Sequence, residues 1–318
     1  MFTVPWSSGG TRDAPTPAWP GLRLDVAVPR VPGLRVEATG GRRLLIRQGA
    51  EVVLLARQRR RHRGVHYLRT GAFSSPLPPI TAADARRVGQ CDDAAWPGRW
   101  THRFARWLCE DVAGPLHDGE WMLAWGMPRW SVPAYWQRVP EVDPDLGHIT
   151  WFGYGDPVED QRDILPLRRL SPIDADRVKG YRRQHREGIL PPVLLWWVSG
   201  LGVLLVVDGH DRLVAARAEG GVPDVIVLAR AADPDFAAFY RETAVRGYEE
   251  RVRSRQDALP DPFTATRIAH LGHSLALDLR TADRAEGRTR AWPIPGGPAA
   301  WDRLATALAS DSPLVQDG

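Results

Sequence analysis

The sequence has little cysteine, hardly any lysine and no long hydrophobic run. Its two cysteines, Cys91 and Cys109, exclude a disulfide framework and are too few for a cysteine zinc site. The longest uninterrupted apolar run, Val193–Val198, is far shorter than the roughly 20 residues of a membrane helix. Proline, serine and glycine dominate the first 20 residues, where a signal peptide would have a charged and then an apolar segment. We therefore expect a cytoplasmic protein with no membrane partner.

Lys179 is the only lysine, which leaves 41 arginines among the 42 basic residues and a formal net charge of +4. Arginine suits the planar, two-pronged recognition of carboxylates and phosphates. A preference for arginine along the whole chain, together with abundant alanine, glycine and proline, is also typical of a GC-rich genome. Arginine content alone therefore predicts no function. The contents of 43% hydrophobic and 25% charged residues are those of a globular protein, and the length suggests about two domains.

The pattern along the chain divides it into five segments. Residues 1–20 are predicted to be a flexible arm because prolines and small polar residues dominate them. Short apolar runs separated by turn residues predict a β-rich N-terminal region over residues 21–90, folded as a small antiparallel meander as far as Arg57. Residues 91–160 are predicted to be a tryptophan-rich α+β region. Residues 161–232 are predicted to form a mixed-sheet domain, and residues 233–318 are predicted to form a helical C-terminal region.

Eight of the fourteen tryptophans lie between residues 96 and 151. Aromatic residues recur at helical spacing at Trp100, Phe104 and Trp107, which predicts an amphipathic helix from about Thr101 to Val112. Such a stripe of tryptophans can stack on nucleic-acid bases, but its commoner use is in a packed core. We expect these tryptophans to form core.

A basic cluster follows the predicted meander and consists of Arg57, Arg59, Arg60, Arg61, His62 and Arg63. Clusters of this kind bind the phosphate backbone of nucleic acids, and they also occur as solvated loops at the end of a strand. DNA is therefore one candidate partner, through the five arginines of this cluster.

The C-terminal region is predicted to contain a helix over Pro234–Gln256 and a second helix with apolar positions at Ile268, Leu271, Leu275 and Leu279. The second helix carries His270 and His273, whose spacing places two possible metal ligands on one face. The sequence supplies no evident third ligand, and the helix by itself explains the pattern.

Residues 164–230 carry the most regular pattern in the chain. Ser171 and Asp174 have the spacing of a capping box, which predicts that a helix begins there. Two apolar runs, Val193–Val198 and Val203–Val207, are predicted to be strands buried on both faces. The second strand ends in Asp-Gly-His-Asp-Arg, and a helix is predicted to follow from Leu213 to Glu219.

The chemistry of this junction follows from its residue types. Gly209 permits a sharp turn and a close approach of a ligand to the backbone. The free N–H groups of the new helix point at such a ligand, and the Arg212 guanidinium can complete a cradle for an anion. A carboxylate there either holds a metal that accompanies phosphate or accepts a proton. The candidate catalytic residues are Asp208 and His210, the candidate metal ligand is Asp208, and the candidate nucleotide-binding residues are Gly209, Asp211 and Arg212.

The order of these features resembles the ParB/sulfiredoxin fold family. The resemblance covers residues 164–230 and rests on the segment Gly-Ile-Leu-Pro-Pro-Val, a buried strand, and the box Asp-Gly-His-Asp-Arg-Leu-Val-Ala-Ala-Arg. It implies a mixed-sheet domain in which the turn Gly209–Arg212 holds the phosphates of a nucleotide (CTP, ATP or ADP) with Mg²⁺. Asp211 stands where a second histidine is commoner in the family.

The branches of that family imply different activities. Sulfiredoxins have a reactive cysteine inside the box, and this sequence has none between Asp208 and Arg212. Chromosome-partitioning ParB proteins have a Glu-Asn-x-x-Arg motif, which the corresponding stretch Phe239–Arg246 lacks, and this departure argues against a CTP-gated DNA clamp. Relatives that phosphorylate free serine have a carboxylate near the first strand, where Asp174 and Asp176 stand here.

The sequence thus predicts an α+β protein: a ParB/sulfiredoxin-like mixed-sheet domain with a β-rich N-terminal part and a helical C-terminal part. The leading functional hypothesis is a nucleotide-binding protein that hydrolyses the nucleotide or transfers its phosphoryl group with Mg²⁺. The alternative is a non-catalytic DNA-associated or protein-interaction module on the same scaffold. A nuclease has less support because the sequence has no dense cluster of carboxylates or histidines.

Overall fold

The computed structural model describes residues 2–3, 21–27, 31–58, 64–126, 144–150, 164–256, 264–282, 287–309 and 314. The chain divides into two compact units, a larger one of residues 1–229 with 289–318 and a smaller one of residues 230–288. Over the described ranges the protein is of the α+β class, with two mixed sheets and seven helices. None of the helices in these ranges combines the length and the apolar character that a membrane span needs.

The first sheet joins strands from three regions of the sequence. Its strands are β1 (Phe2–Thr3), β2 (Gly21–Val26), β7 (Gly119–Trp125), β9 (Ile164–Pro166), β10 (Val193–Val198), β11 (Val203–Asp208) and β12 (Val225–Arg230). Six of them follow the order β2-β7-β12-β10-β11-β9, and the two-residue β1 extends the edge beside β2. The β2–β7 and β10–β11 pairs are antiparallel, whereas β12 and β9 run parallel to their neighbours β10 and β11.

The second sheet has six strands and is mostly antiparallel. Its strands are β3 (Leu34–Thr39), β4 (Arg43–Gln48), β5 (Glu51–Gln58), β6 (Gly64–Arg69), β8 (Leu146–Thr150) and β13 (Ala291–Pro293). They follow the order β13-β3-β4-β5-β6-β8, with β13 parallel to β3 and the other pairs antiparallel. The predicted meander is confirmed for β3 to β5, but β2 belongs to the first sheet.

Five helices belong to the larger unit and two to the smaller one. The larger unit has α1 (Ala82–Val88), α2 (Trp96–Glu110), α3 (Asp176–Arg186), α4 (His210–Ala218) and α7 (Gly297–Ala309). The smaller unit consists chiefly of α5 (Pro234–Gln256) and α6 (Thr264–Ala282), which pack on each other. Within that unit the Gly287 N–H donates to the Arg230 carbonyl at 2.7 Å.

The prediction that tryptophans build core is confirmed for α2 and β7. Trp96, Trp100 and Trp121 are fully buried, and the Trp96 and Trp125 rings meet edge to face at 5.3 Å. Helix α2 begins at Trp96, five residues earlier than predicted. Pro97 lies in its first turn, where backbone N–H groups have no partner within the helix, so the N–H that proline lacks costs no hydrogen bond.

Helices α3 and α4 pack on each other and hold the strand-to-helix junction between them. Val178 and Tyr181 of α3 share an apolar cluster with Val214, Ala215 and Ala216 of α4. Strands β10 and β11 are almost wholly buried, as their unbroken apolar runs predicted. This packing holds α4 against α3.

Two predicted helix boundaries in this region are wrong. Helix α3 begins at Asp176, with Ala175 as its N-cap and no side-chain cap, so Ser171 and Asp174 form no capping box. The Ser171 hydroxyl instead donates to the Asp211 carboxylate at 2.7 Å. Helix α4 begins at His210, three residues before the predicted start, so the Asp-Gly-His-Asp-Arg box contains the first turn of the helix.

Candidate phosphate-binding site

The turn between β11 and α4 is made by a glycine in the left-handed region. Gly209 has φ 93° and ψ 23° and is the N-cap of α4. No side chain caps this helix end, although side chains commonly satisfy the first N–H groups of a helix. The first N–H groups of α4 therefore receive no capping bond from the N-cap residue, and the positive end of the helix dipole lies at this turn.

Arg212 forms the floor of the site. The residue is 2% exposed. Its Nη2 donates to the Pro192 carbonyl at 3.0 Å and also pairs with the Asp208 carboxylate. Its guanidinium lies 6.0 Å from the centre of the Tyr181 ring. The Nε atom of Arg212 is buried and makes no hydrogen bond. The guanidinium is thus fixed in place, and its buried Nε–H has no acceptor.

Asp208 lies between Arg212 and a serine from a distant part of the chain. The Ser75 hydroxyl donates to Asp208 Oδ1 at 2.7 Å, and Oδ2 accepts from Arg212. Both oxygens therefore accept from donors, and the carboxylate charge is balanced. Within the described ranges, no group of three or more histidine, cysteine or acidic residues is placed to hold a metal ion. These residues do not fit a resident Mg²⁺, which prefers several free oxygen ligands.

His210 lies below the surface of the pocket. It is 3% exposed, and its Nε2 accepts from the Arg168 backbone N–H at 3.2 Å. Burial is the main reason that the pKa of His210 lies well below its ordinary value, and the charges of Arg168, Arg69 and Arg212 lower it further. The imidazole is neutral at physiological pH, with the proton on Nδ1. Its acceptor nitrogen is occupied by the backbone.

Asp211 holds two arginines that the sequence did not single out. Its buried carboxylate accepts from Arg168 Nη2 at 3.0 Å and lies 3.3 Å from Arg177 Nε. The side chains of Arg168 and Arg177 are 41% and 60% exposed, so both remain accessible to a ligand. A hydrogen bond with Tyr181 is the main reason that the pKa of Arg177 is raised. The sequence did contain one signal for them, because Arg168 and Arg177 lie on either side of Ser171, where the helix was predicted to begin.

These residues surround a pocket of about 380 Å³, which we call the phosphate pocket. Its walls are the turn Asp208–Arg212, several residues of the segment 73–80, and Arg168, Arg177 and Tyr181. All five predicted site residues line it. The lining contains three arginines and two aspartates, so these five residues together have a net charge of +1. The segment 73–80 was missed because it lies about 130 residues before the turn.

Arg57 of the basic cluster is not among the residues that line this pocket. Arg57 of the basic cluster is buried, and its Nη1 donates to the Leu314 carbonyl at 2.8 Å. Arg59, Arg60, Arg61 and Arg63 lie outside the described residues. His270 and His273 are exposed on α6 in the smaller unit.

Comparisons of this chain with protein-family models, with curated proteins and with solved structures found no match. An uncapped helix end, a left-handed glycine and an excess of arginine suit an anion with several oxygens, such as a phosphate group.

Proposed function

We propose that this chain binds a nucleotide and that the phosphate pocket holds its phosphates. The observation that carries the proposal is the uncapped first turn of α4, which lines the pocket together with Arg168 and Arg177. Backbone N–H groups in this arrangement bind phosphate oxygens, and the helix dipole favours their charge. The resemblance to the ParB/sulfiredoxin fold implies the same role for this turn.

Charge and access support the same ligand. Arg168 and Arg177 are anchored at one end by Asp211 and leave part of each guanidinium exposed beside the pocket. Arginine binds phosphate through two parallel hydrogen bonds, and an anchored side chain loses less entropy when it does so. We expect the phosphates to lie between these two arginines and the first turn of α4.

The geometry supports binding more strongly than phosphoryl transfer. Asp208 is paired with Arg212, and the acceptor nitrogen of His210 is used by the backbone. Neither group is free to take a proton from a nucleophile, which a general base must do. Because the pocket offers no vacant cluster of metal ligands, we expect binding to persist without Mg²⁺.

Isothermal titration calorimetry with tripolyphosphate, ATP, ADP and CTP, with and without Mg²⁺, tests this proposal. Arg177→Ala should weaken binding of all four about tenfold, since a charged hydrogen bond is worth about 1.5 kcal/mol. The matched control is Arg183→Ala, an exposed arginine on the same helix that pairs with Glu187. No binding by the unaltered protein, or equal losses in both variants, would refute the proposal.

A further inference from the structure

Helix α3 carries a row of arginines that starts at the phosphate pocket. Its eleven residues include four arginines and one lysine against a single aspartate. We call Arg177, Arg182, Arg183 and Arg186 the α3 row. Arg177 lines the phosphate pocket, whereas the other three are not among the residues that line it. At about 1.5 Å per residue, the row is about 14 Å long and extends well beyond the pocket.

Two glutamates hold the far end of the α3 row, and each of them is shared by two arginines. Glu219, which follows α4, accepts from Arg182 Nε at 2.6 Å and from Arg186 Nη1 at 2.8 Å. One negative charge therefore lies against two positive charges, the same ratio as at Asp211 in the phosphate pocket.

Glu187, the residue after α3, repeats this arrangement. It accepts from Arg183 Nε at 2.7 Å and from Arg86 Nη2 of α1 at 3.2 Å. The side chains of Arg183 and Arg86 are 73% and 54% exposed. The three shared carboxylates and their six arginines have a net charge of +3, against a formal net charge of +4 for the whole chain. The side of the protein that carries α3 is therefore strongly positive.

Stability alone does not explain why these arginines lie together. Exposed ion pairs contribute only about 0–1 kcal/mol each, and two guanidinium groups on one carboxylate repel each other. A guanidinium has five N–H donors, so each arginine keeps donors that its carboxylate does not use. A side chain that is already held at one end also loses less entropy when it binds a phosphate. The α3 row therefore suits a ligand with phosphates spaced along it.

We infer that the nucleotide of the phosphate pocket is the end of a single-stranded nucleic acid, and that the following phosphates of the strand lie along the α3 row. The inference rests on the proposed function, because the terminal phosphate must occupy the pocket. The phosphates of a free nucleotide are consecutive and lie together in the pocket, which leaves the far arginines without an anion. One nucleic-acid strand carries about one phosphate per 3.4 Å of helix axis, or about four over the length of the row. A single row of arginines matches one backbone rather than the two of a duplex.

Fluorescence anisotropy with a labelled oligothymidylate of about ten nucleotides tests the inference on the whole protein. Versions with a 5′-phosphate, a 3′-phosphate or no terminal phosphate show which end enters the pocket. One terminal phosphate should tighten binding about tenfold, since a charged hydrogen bond is worth about 1.5 kcal/mol. If the protein neutralises about three or four phosphates, the logarithm of the binding constant should fall with the logarithm of the salt concentration with a slope of about −2 to −3. Equal binding of all three versions would overturn the inference.

Arg183→Ala separates the α3 row from the phosphate pocket. This variant should bind the oligonucleotide several-fold more weakly and reduce the magnitude of the salt slope by about 0.7, while ATP and tripolyphosphate bind as before. The matched control is Arg290→Ala, which removes an exposed arginine that pairs with Asp118. We expect the control to bind every ligand as the unaltered protein does.

Other results would overturn the inference and leave the phosphate site standing. They are a failure of every oligonucleotide to bind to a protein that binds tripolyphosphate, tighter binding of a duplex than of a single strand, equal binding of polyglutamate of the same length, and equal losses in Arg183→Ala and Arg290→Ala. If tripolyphosphate and the free nucleotides also fail to bind, the proposed function is overturned as well.

Discussion

Replacing Gly209 by alanine perturbs the phosphate pocket at the turn between β11 and α4. The residue has φ 93°, and a Cβ atom there would lie 2.7 Å from Nη2 and 3.0 Å from Nε of Arg212. A non-glycine residue in the left-handed region costs about 1–2 kcal/mol. Arg212 would also have to move and lose hydrogen bonds made by a buried charge, which are worth about 1.5–3 kcal/mol. The free energy of unfolding should therefore fall by about 2.5–5 kcal/mol.

Gly220 separates the backbone effect from the displacement of Arg212. It follows the other end of α4 with φ 74°, and a Cβ atom there would meet no atom within 4 Å. Gly220→Ala should therefore have only the backbone cost, about 1–2 kcal/mol. The difference between the two variants, about 1.5–3 kcal/mol, measures how firmly Pro192 and Asp208 hold Arg212.

Thermal unfolding provides the comparison. In a protein of this size 1 kcal/mol corresponds to about 1.5 °C, so Gly209→Ala should melt roughly 2–5 °C below Gly220→Ala. Phosphate binding should be lost in the first variant and kept in the second. Equal melting temperatures, with phosphate binding intact in both, would show that Arg212 moves aside freely, and the description of a fixed guanidinium would be wrong.

Two further predictions concern the titrating groups of the pocket. In the folded protein the pKa of His210 lies well below the ordinary value of 6.5. Below pH 6.5 the unfolded state therefore binds more protons than the folded state. The free energy of unfolding should fall by up to about 1.4 kcal/mol for each pH unit by which the pH is lowered. Chemical unfolding between pH 7 and 5 should show a shallower fall for His210→Gln, which keeps an acceptor that does not titrate; an unchanged slope would contradict this. Asp211→Asn should lower the free energy of unfolding by only about 1–2 kcal/mol, since the arginine partners of Asp211 are partly exposed. The same variant should bind tripolyphosphate several-fold more tightly, because the substitution removes a negative charge from the pocket. Weaker binding in that variant would place the phosphates away from Arg168 and Arg177.

The sequence predicted the floor of the pocket because its residues are consecutive. Strand β11, Gly209 and the first turn of α4 follow one another, so a local pattern was enough to bring all five predicted residues to one place. The unbroken apolar runs likewise predicted β10 and β11, because burial on both faces leaves no room for polar residues.

Long-range contacts account for what the sequence did not predict. Ser75 reaches Asp208 across 133 positions, and no local spacing indicates such a pair. The capping box at Ser171 failed because the buried Asp211 carboxylate takes its hydroxyl, a case where tertiary structure overrides a local preference. The meander prediction failed at β2 for the same kind of reason, since its partner β7 lies about 100 residues later.

The charged residues of the phosphate pocket form two groups, one on its floor and one at its side. On the floor, Arg212 and Asp208 neutralise each other, and their buried pairing fixes the shape of the turn. At the side, Asp211 holds Arg168 and Arg177 together but carries one charge against their two. The positive excess therefore lies on the accessible arginines and on the first turn of α4. If the proposed function is right, we expect an anion to gain most of its binding energy from these groups, because it can contact them without breaking the Arg212–Asp208 pair.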